Sequence, residues 1–560
     1  MFESRPIRKW IYLCALALSS HGFSQDAGSS LPSDIPALAT KFKTRAELVT
    51  VPVVVTYKNG LHVLGLKKED FTLLEDGKPQ KLANLEEVEK TSGPAKAPAA
   101  QPGQFSNLQV EDNRPKQLTL IVLDKLNTPI EYQSFAQQQM LKYLNDSVNT
   151  HQLTSLFVIT RDGMRVVYDF TDDPQLLVAA LAKVKVEKNL VDEASEEAIP
   201  KASGNSLDSQ IAKMAEKQHE ADQRLESQER TTSIDTTLRS MQQIAQYCAG
   251  IPGRKAMLWA SAGFPFSVNE ADLSINIAGV KAASLSDFSE KYRKTWRALE
   301  QAQVSVYPVD VRGLLDPTMP DISIRSPRDD AYGHDVWKQV ETIGTFQEFA
   351  RATGGRAFFN GNDLAGAFLK ASEDNAAYYV LSYYLDRAAK KSGWHKLAVK
   401  VRRGGVQVRA RSGFFLDQNT AKHAEYTELQ LALDSPLNST AIAVTGKWQQ
   451  AVSAADGKRR VVFLLTMPAN FAQIDADDNN HVILEFAAIA RTEDGSRAGE
   501  TSKTMDGHLE PETAAQIRNH GMDYRGALTL PPGNYTVHFA VEDRLSGRIG
   551  SVSAPLKVAP

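Results

Sequence analysis

The stretch "QLTLIVLD", residues 117–124, constrains this chain more than any other. A near-continuous run of apolar strand formers has no polar face to turn to water, so it fits a strand covered on both sides. Strands of that kind belong to parallel sheets with helices packed over them. The run stops at Asp124 and turns through "KLNTP" into "EYQSFAQQQMLKYLNDSV", where Tyr132, Phe135, Met140, Tyr143 and Leu144 recur at roughly helical spacing. An acid at the end of a buried strand stands at the edge where open α/β sheets meet their ligands.

The next segments keep up the alternation. "TSLFVIT" (154–160) and "RVVYDF" (165–170) read as strands joined through Arg161, Asp162 and Gly163, and "DPQLLVAALAKV" (173–184) reads as a helix with a proline near its start. "GRKAMLWAS" (253–261) and "VSVYPVDVR" (304–312) are further strands, with the helix "DFSEKYRKTWRALEQAQ" between them. "VWKQVETIGTFQEFARATGG" (336–355) is a helix with a glycine stop. Together they predict an α/β fold, a doubly wound and mainly parallel sheet, over 116–376. Inside it, 188–230 is polar and charged with only a thin apolar stripe, and is expected to be an exposed helix or a disordered arm.

Other patterns flank this region. Residues 40–90 hold "LVTVPVVVTY", an Asn-Gly turn and "DFTLLEDGKPQKL", which predict a small antiparallel β unit. Residues 91–115, Pro-, Ala- and Gly-rich through "TSGPAKAPAAQPGQFSN", read as a linker. Residues 377–416 are a β-rich extension, expected to pack on the edge of the α/β sheet. From 424 to 560, "RRVVFLLTMP", "HVILEFAAIA", "PPGNYTVHFAVED" and "GSVSAPLKV" alternate with turns and predict an all-β sandwich.

At the N-terminus, Arg5, Arg8 and Lys9 precede a short apolar core from Trp10 to Leu18 and small residues before Gln25. That is the layout of a cleavable secretory signal over 1–24. The apolar run is too short for a stable anchor, and no later run approaches transmembrane length. An exported protein, periplasmic or secreted, with no stable membrane span after signal cleavage is therefore expected. The formal net charge is −3, and losing Arg5, Arg8, Lys9 and Glu3 makes the mature chain two charges more negative, which argues against nucleic acid as partner. Cys14 leaves with the signal; Cys248, then the lone cysteine, reads as a buried small apolar residue.

Taken in order, "VPVVVTYKNGLHVLGLKKEDFTLLEDGKPQ", "LIVLDKLNTP", "PGRKAMLWASAGFP", "YPVDVRGL", "ATGGRAFFN", "AYYVLSYYLD" and "VRARSGFF" resemble the von Willebrand factor A-type (VWA) family, specifically the exported VWFA-related proteins of Acidobacteria and similar soil bacteria. The C-terminal "LPPGNYTVHFAVEDRLSGRIGSVSAPLKV" resembles the Ig-like β-sandwiches that close some of them. The resemblance implies a Rossmann-like doubly wound VWA domain with an N-terminal β unit and a C-terminal Ig-like β-sandwich. It also implies an extracytoplasmic location and a binding rather than a catalytic role.

In family members with a metal-ion-dependent adhesion site, the first loop reads Asp-x-Ser-x-Ser, and a threonine and a second aspartate come from two other loops. Asp124 matches the first position. Leu126 stands where the first serine belongs and cannot coordinate, whereas Thr128 can replace the second as a hydroxyl ligand. The family's Thr-Asp-Gly becomes Ser261-Ala262-Gly263, which removes the second carboxylate. Thr232, Thr236 and Thr237 all suit the threonine place; Thr237 joins Asp124 and Thr128 as the candidate metal set. Mg²⁺ wants six oxygens in near-octahedral geometry. So poor a set is expected to hold Mg²⁺ or Ca²⁺ weakly or not at all, a degenerate adhesion site with no resident cofactor. Asp124, Asn127, Thr128 and Ser261 are the expected ligand-binding residues.

No catalytic residue is predicted: the chain has no Walker loop, Rossmann glycine fingerprint, nucleophile elbow or HExxH helix. "DADDNN" (475–480) has calcium-loop spacing at its start but lacks the glycine and the closing glutamate, so it reads as a polar hairpin loop. The expected function is recognition of a protein or cell-surface partner. Two alternatives stand beside it: an envelope structural or assembly factor docking through 188–230, and an extracytoplasmic hydrolase using Asp124 and Asp310 as an acid–base pair. Oligomeric state is not legible.

Overall fold

A computed structural model describes residues 46–89, 103–107, 117–147, 152–185, 228–229, 231–264, 267–269, 274–276, 282–314, 330–386, 390–416, 427–476 and 478–559. The expected signal peptide, nearly all of the charged insertion and most of the linker lie outside the described residues.

One five-stranded sheet is built around the Asp124 strand, Leu118–Asp124. Leu153–Thr160 and Lys255–Ser261 flank it, and Gly163–Thr171 and Val304–Asp310 lie outermost. Three neighbouring pairs are parallel, with Ile121 opposite both Leu156 and Leu258, and Asp310 opposite Ser261. The fourth pair is an antiparallel hairpin, because the chain turns back at Arg161 and Asp162 with no residues to spare for a crossover. The strands ending at Asp124, Ser261 and Asp310 are buried at every residue, which is why their sequences carry no alternation. Leu120, Val122, Met257 and Trp259 pack on one face with Trp296, Phe346 and the helix over 231–248; Ile121, Leu123, Leu258 and Tyr307 pack on the other with Met140, Tyr143 and Phe368.

A second module is drawn from both sides of that sheet in sequence. Ala46–Tyr57 pairs with Tyr378–Asp386 and Val406–Ala410; Tyr378–Asp386 also pairs with Leu82–Val88, and Phe71–Glu75 with Gly393–Val401. The result is two four-stranded antiparallel sheets closed on Val51, Val53, Val55, Leu73, Leu381 and Phe414. The β unit expected at 40–90 and the extension expected at 377–416 are thus one structure. The extension hydrogen-bonds to the N-terminal strands, not to the edge of the central sheet.

The C-terminal module is another pair of antiparallel sheets, closed on Val461, Phe463, Leu484, Phe486, Val537 and Phe539. One of its strands, Gln104–Ser106, comes from inside the expected linker and pairs with Thr445–Lys447. Phe105 explains the departure. Its ring stacks 5.1 Å from Phe539 and lies 5.3 Å from Trp448, and burial of an aromatic outweighs the ordering of a short polar segment. Gly446 makes room, since a Cβ there would stand 2.0 Å from the Phe105 ring.

Thr440 docks this module on the end of the helix over 231–248. Its backbone N–H donates to the Gln246 carbonyl at 2.9 Å, its hydroxyl donates to the Tyr247 carbonyl at 2.8 Å, and the hydroxyl accepts from the Gly250 N–H at 2.8 Å. Carbonyls in a helix's last turn have no partner within the helix, so a neighbouring module can supply one. Gly250 permits the approach: a Cβ would lie 2.0 Å from the Thr440 carbonyl oxygen.

The expected fold class, α/β with a Rossmann-like doubly wound VWA domain, an N-terminal β unit and a C-terminal Ig-like β-sandwich, does not describe this chain. Among the described residues, strand outnumbers helix, 44% to 27%, and the strands fall into several separate sheets, most of them antiparallel. Among the described residues, parallel strand pairing is confined to three pairs of the central sheet, with one isolated parallel bridge, Val309 to Phe358, at its edge. The reason lies in the connections. Two-residue and other short turns allow only antiparallel return, and most neighbouring strands here are joined that way or pair across a long sequence gap. The continuous apolar runs of the central strands are the loudest signal in the sequence, and they spoke for a chain of which they are only one part.

Candidate functional site

Three strand ends meet at one edge of the central sheet. Asp124 closes the middle strand, Ser261 the strand beside it, and Asp310, opposite Ser261, the next. The backbone N–H groups of Lys125 and Leu126 both donate to the Ile159 carbonyl, at 3.0 and 3.1 Å, and so fix the loop that follows Asp124. The helix Ile130–Asp146 then begins behind Pro129.

Asp124 is completely buried. Its Oδ1 accepts from the Asn127 backbone N–H at 3.0 Å. Its Oδ2 accepts from Asn127 Nδ2 at 2.9 Å, Trp259 Nε1 at 3.1 Å and Ser261 Oγ at 2.9 Å. Burial pushes the carboxyl above its ordinary value, and the hydrogen bonds from Asn127, Ser261 and Trp259 pull the other way. The four donors are neutral groups. They solvate the charge without opposing it with another charge.

Asn127 is the keystone of the arrangement. The same Nδ2 that donates to Asp124 also donates to Thr237 Oγ1 at 2.9 Å. Both amide hydrogens are used, and the NH₂ group stands between the carboxylate and the threonine hydroxyl. Thr128 Oγ1 accepts from the Ala262 N–H at 3.2 Å, tying the Asp124 loop to the loop after Ser261. Ser261 Oγ also lies 2.7 Å from the Gly263 carbonyl and accepts from the Gly263 N–H.

The structure therefore brings the residues singled out in the sequence together: Asp124, Asn127, Ser261 and Thr237 in one hydrogen-bonded group, with Thr128 joined to it through Ala262. It does not arrange them as cation ligands. A cation needs several lone pairs aimed at one point. Here the lone pairs of Asp124 and Thr237 are aimed at an amide NH₂, whose partial positive charge does the work an ion would do. Among the described residues, no second carboxylate, histidine or cysteine converges with Asp124. The residues present do not fit Mg²⁺ or Ca²⁺.

Asp310, the acid expected to partner Asp124 in a hydrolase, is engaged elsewhere. Arg312 grips it twice, Nε to Oδ1 at 2.9 Å and Nη2 to Oδ2 at 2.7 Å, and the Arg312 N–H adds a third bond to Oδ1. Sequence reasoning missed both Arg312 and Trp259. Trp259 lies two residues before Ser261 on the same strand and so shares its face, a signal that was available but was masked by tryptophan's role as a core residue.

No family model and no curated protein matches the chain. Among solved structures it is similar to proximal thread matrix protein 1 from the mussel byssus, with 11% identity and a TM-score of 0.23. The match spans 47% of this chain and 49% of the mussel protein, about half the length of each. So slight a likeness carries no argument about fold or function.

Proposed function

We propose that the chain is an exported, non-catalytic protein that binds a protein or cell-surface partner, with the loops at the Asp124 edge acting as a rigid rim. The observation that supports this reading is the saturation of both strand-end carboxylates. Asp124 is filled by four neutral donors and Asp310 by one arginine. A general acid or base must be within hydrogen-bond reach of the substrate's proton, and a carboxylate already spent on buried partners has nothing left to offer. What such a network does supply is a loop held in one conformation, which lowers the ordering cost of binding. Contact with a partner then falls to the partly exposed rim, Asn127, Pro129 and Ile130, rather than to the buried Asp124, Thr128 and Ser261.

The test combines two measurements on the mature chain, residues 25–560. A photo-crosslinking side chain at Ile130 is expected to give a discrete adduct in the producing cell's envelope or surface fraction, one that weakens when Asp124→Asn loosens the loop. The purified chain is expected to show no turnover of ester, peptide, glycoside or phosphate substrates. Turnover that disappears in Asp124→Asn or Asp310→Asn variants of unchanged circular dichroism would overturn the reading in favour of a hydrolase. Export rests on the signal expected over 1–24, and retention of the uncleaved chain in the cytoplasm would refute that part.

A further inference from the structure

A second polar cluster lies in the N-terminal β module. Glu75 ends the strand Phe71–Glu75, and Asp76 starts the tight turn that follows, with φ of 48° at Asp76 and 78° at Gly77. His395 belongs to Gly393–Val401, the strand that pairs with Phe71–Glu75. Two backbone-anchored bonds clip the turn to that strand: Asp76 N–H to the Lys396 carbonyl at 2.8 Å, and Lys396 N–H to Asp76 Oδ1 at 2.9 Å. The geometry is thus set by the sheet and not by mobile side chains.

His395 Nε2 lies 2.9 Å from the Lys391 carbonyl oxygen, which only accepts, so that nitrogen carries a hydrogen. The other ring nitrogen, Nδ1, faces Asp76 Oδ2 at 2.8 Å and Glu75 Oε1 at 3.7 Å. Carboxylate oxygens also only accept, so a positive centre has to stand between them and the ring: a proton or a metal ion. Glu75 is wholly buried, and neither of its oxygens accepts a hydrogen bond. The Lys390 ammonium stands 2.6 Å from Oε1 as its ion-pair partner, and the Tyr383 hydroxyl lies beside the carboxylate. One ammonium does not fill the acceptor positions of two carboxylate oxygens, so the buried Glu75 keeps capacity for a further positive ligand.

Charge and geometry agree on what that is. Two carboxylates call for two positive charges; Lys390 supplies one, and one divalent ion standing between them and the imidazole supplies both. The three ligand atoms lie within 4.8 Å of one another. Tetrahedral zinc, with bonds of about 2.0–2.2 Å, sets its ligands roughly 3.4 Å apart, between the 2.8 and 3.7 Å contacts seen here. The outer supports of a zinc site are also in place, with Lys391 fixing the imidazole and Lys396 fixing Asp76. Asp76 is 42% exposed and opens the site to solvent. One imidazole and two carboxylates suit zinc, whereas Mg²⁺ and Ca²⁺ take oxygen ligands in greater number.

We propose that Glu75, Asp76 and His395 bind a zinc-class divalent ion, which stands between His395 Nδ1 and the two carboxylates and releases Lys390 to solvent. The experiment is calorimetric titration of the untagged mature chain with Zn²⁺ at pH 7.5, with Mg²⁺ in parallel. One saturable Zn²⁺ per chain is expected, with no Mg²⁺ binding. Asp76→Asn keeps a residue that tolerates positive φ, so the turn survives, and binding is expected to weaken by at least about tenfold. Lys390→Met removes the competing ammonium and is expected to bind zinc as tightly or more tightly. Absence of saturable Zn²⁺ binding by the wild type would overturn the proposal. So would Asp76→Asn affinity within twofold of wild type, which would place the ion elsewhere on the chain, or loss of binding in Lys390→Met.

Discussion

Replacing Asn127 with Asp keeps the size of the side chain and turns the donor between Asp124 and Thr237 into a second carboxylate. Both of its N–H donations, 2.9 Å each, are lost. Removing a hydrogen bond to a buried charged acceptor costs about 1.5–3 kcal/mol. Two carboxylates roughly 3.5 Å apart repel by about 5 kcal/mol at an effective dielectric near 20. The pair sheds that repulsion by keeping one proton, which for an ordinary carboxyl at pH 7 costs about 4 kcal/mol. The retained proton still serves Asp124, so beside its cost only the bond to Thr237 is lost, and the variant is expected to lose about 4–6 kcal/mol at pH 7, a large part of a domain's stability. The sign with pH follows: the folded pair binds its proton more tightly than the unfolded chain does, so the loss shrinks as pH falls from 7 towards 4. A divalent ion can replace the proton, and Mg²⁺ at 10–100 times its dissociation constant would restore about 1.4–2.7 kcal/mol to the variant alone. Urea unfolding at pH 5 and 7, with and without Mg²⁺, reads all of this. If Asn127→Asp unfolds at the wild-type urea concentration at pH 7, or if Mg²⁺ moves both proteins equally, the amide does not stand in for a cation.

Three further outcomes follow from other parts of the structure. Glu542, buried, lies directly opposite Glu485 on the neighbouring strand, with Glu428, Arg544 and Lys294 around it; burial first, then Glu428, pushes its carboxyl up to about 7. A raised folded value means stability that is present below about pH 4.5 and lost as pH rises through 7, so Glu542→Gln is expected to be more stable than wild type at pH 8.5, by up to about 3 kcal/mol, and nearly equal at pH 4.5; an equal shift at both pH values would refute the assignment. Thr440→Ala removes the hydroxyl that serves Tyr247 and Gly250 and is expected to cost about 1–2 kcal/mol, with faster hydrogen exchange at the Gly250 amide as the local signature. Phe105→Ala empties the space between Phe539 and Trp448 and is expected to cost up to about 3 kcal/mol in thermal unfolding of the C-terminal module, limited by the ease with which a three-residue strand detaches.

The candidate site was partly legible. Asp124, Asn127, Thr128 and Ser261 were grouped from strand-end positions, and they do meet, because a buried strand delivers its last residue to a predictable edge. Asn127 was legible as a polar group of this loop, but not that its amide nitrogen is what faces the carboxylate. Nothing in a sequence says which way an amide points. Nor could it show that Asp310 folds back on Arg312, two residues on, instead of reaching Asp124. The Asp76–His395 contact spans 319 residues, and in the sequence it is an ordinary turn and one of several scattered histidines.

Local composition settles a good deal about this chain: where strands begin and stop, which of them are buried on both faces, and where a loop must turn. Those traits depend on residues within a few positions of one another, and the linear pattern records them. Partnership is another matter. Ala46–Tyr57 finds Tyr378–Asp386, Gln104–Ser106 finds Thr445–Lys447, and the helix over 231–248 is closed by Thr440 only once the modules are assembled. Each such contact is chosen by which buried surfaces and unpaired backbone groups end up facing each other, a choice made by the whole folded chain at once, and that is why a central α/β reading could not be extended to a protein made mostly of antiparallel sheets.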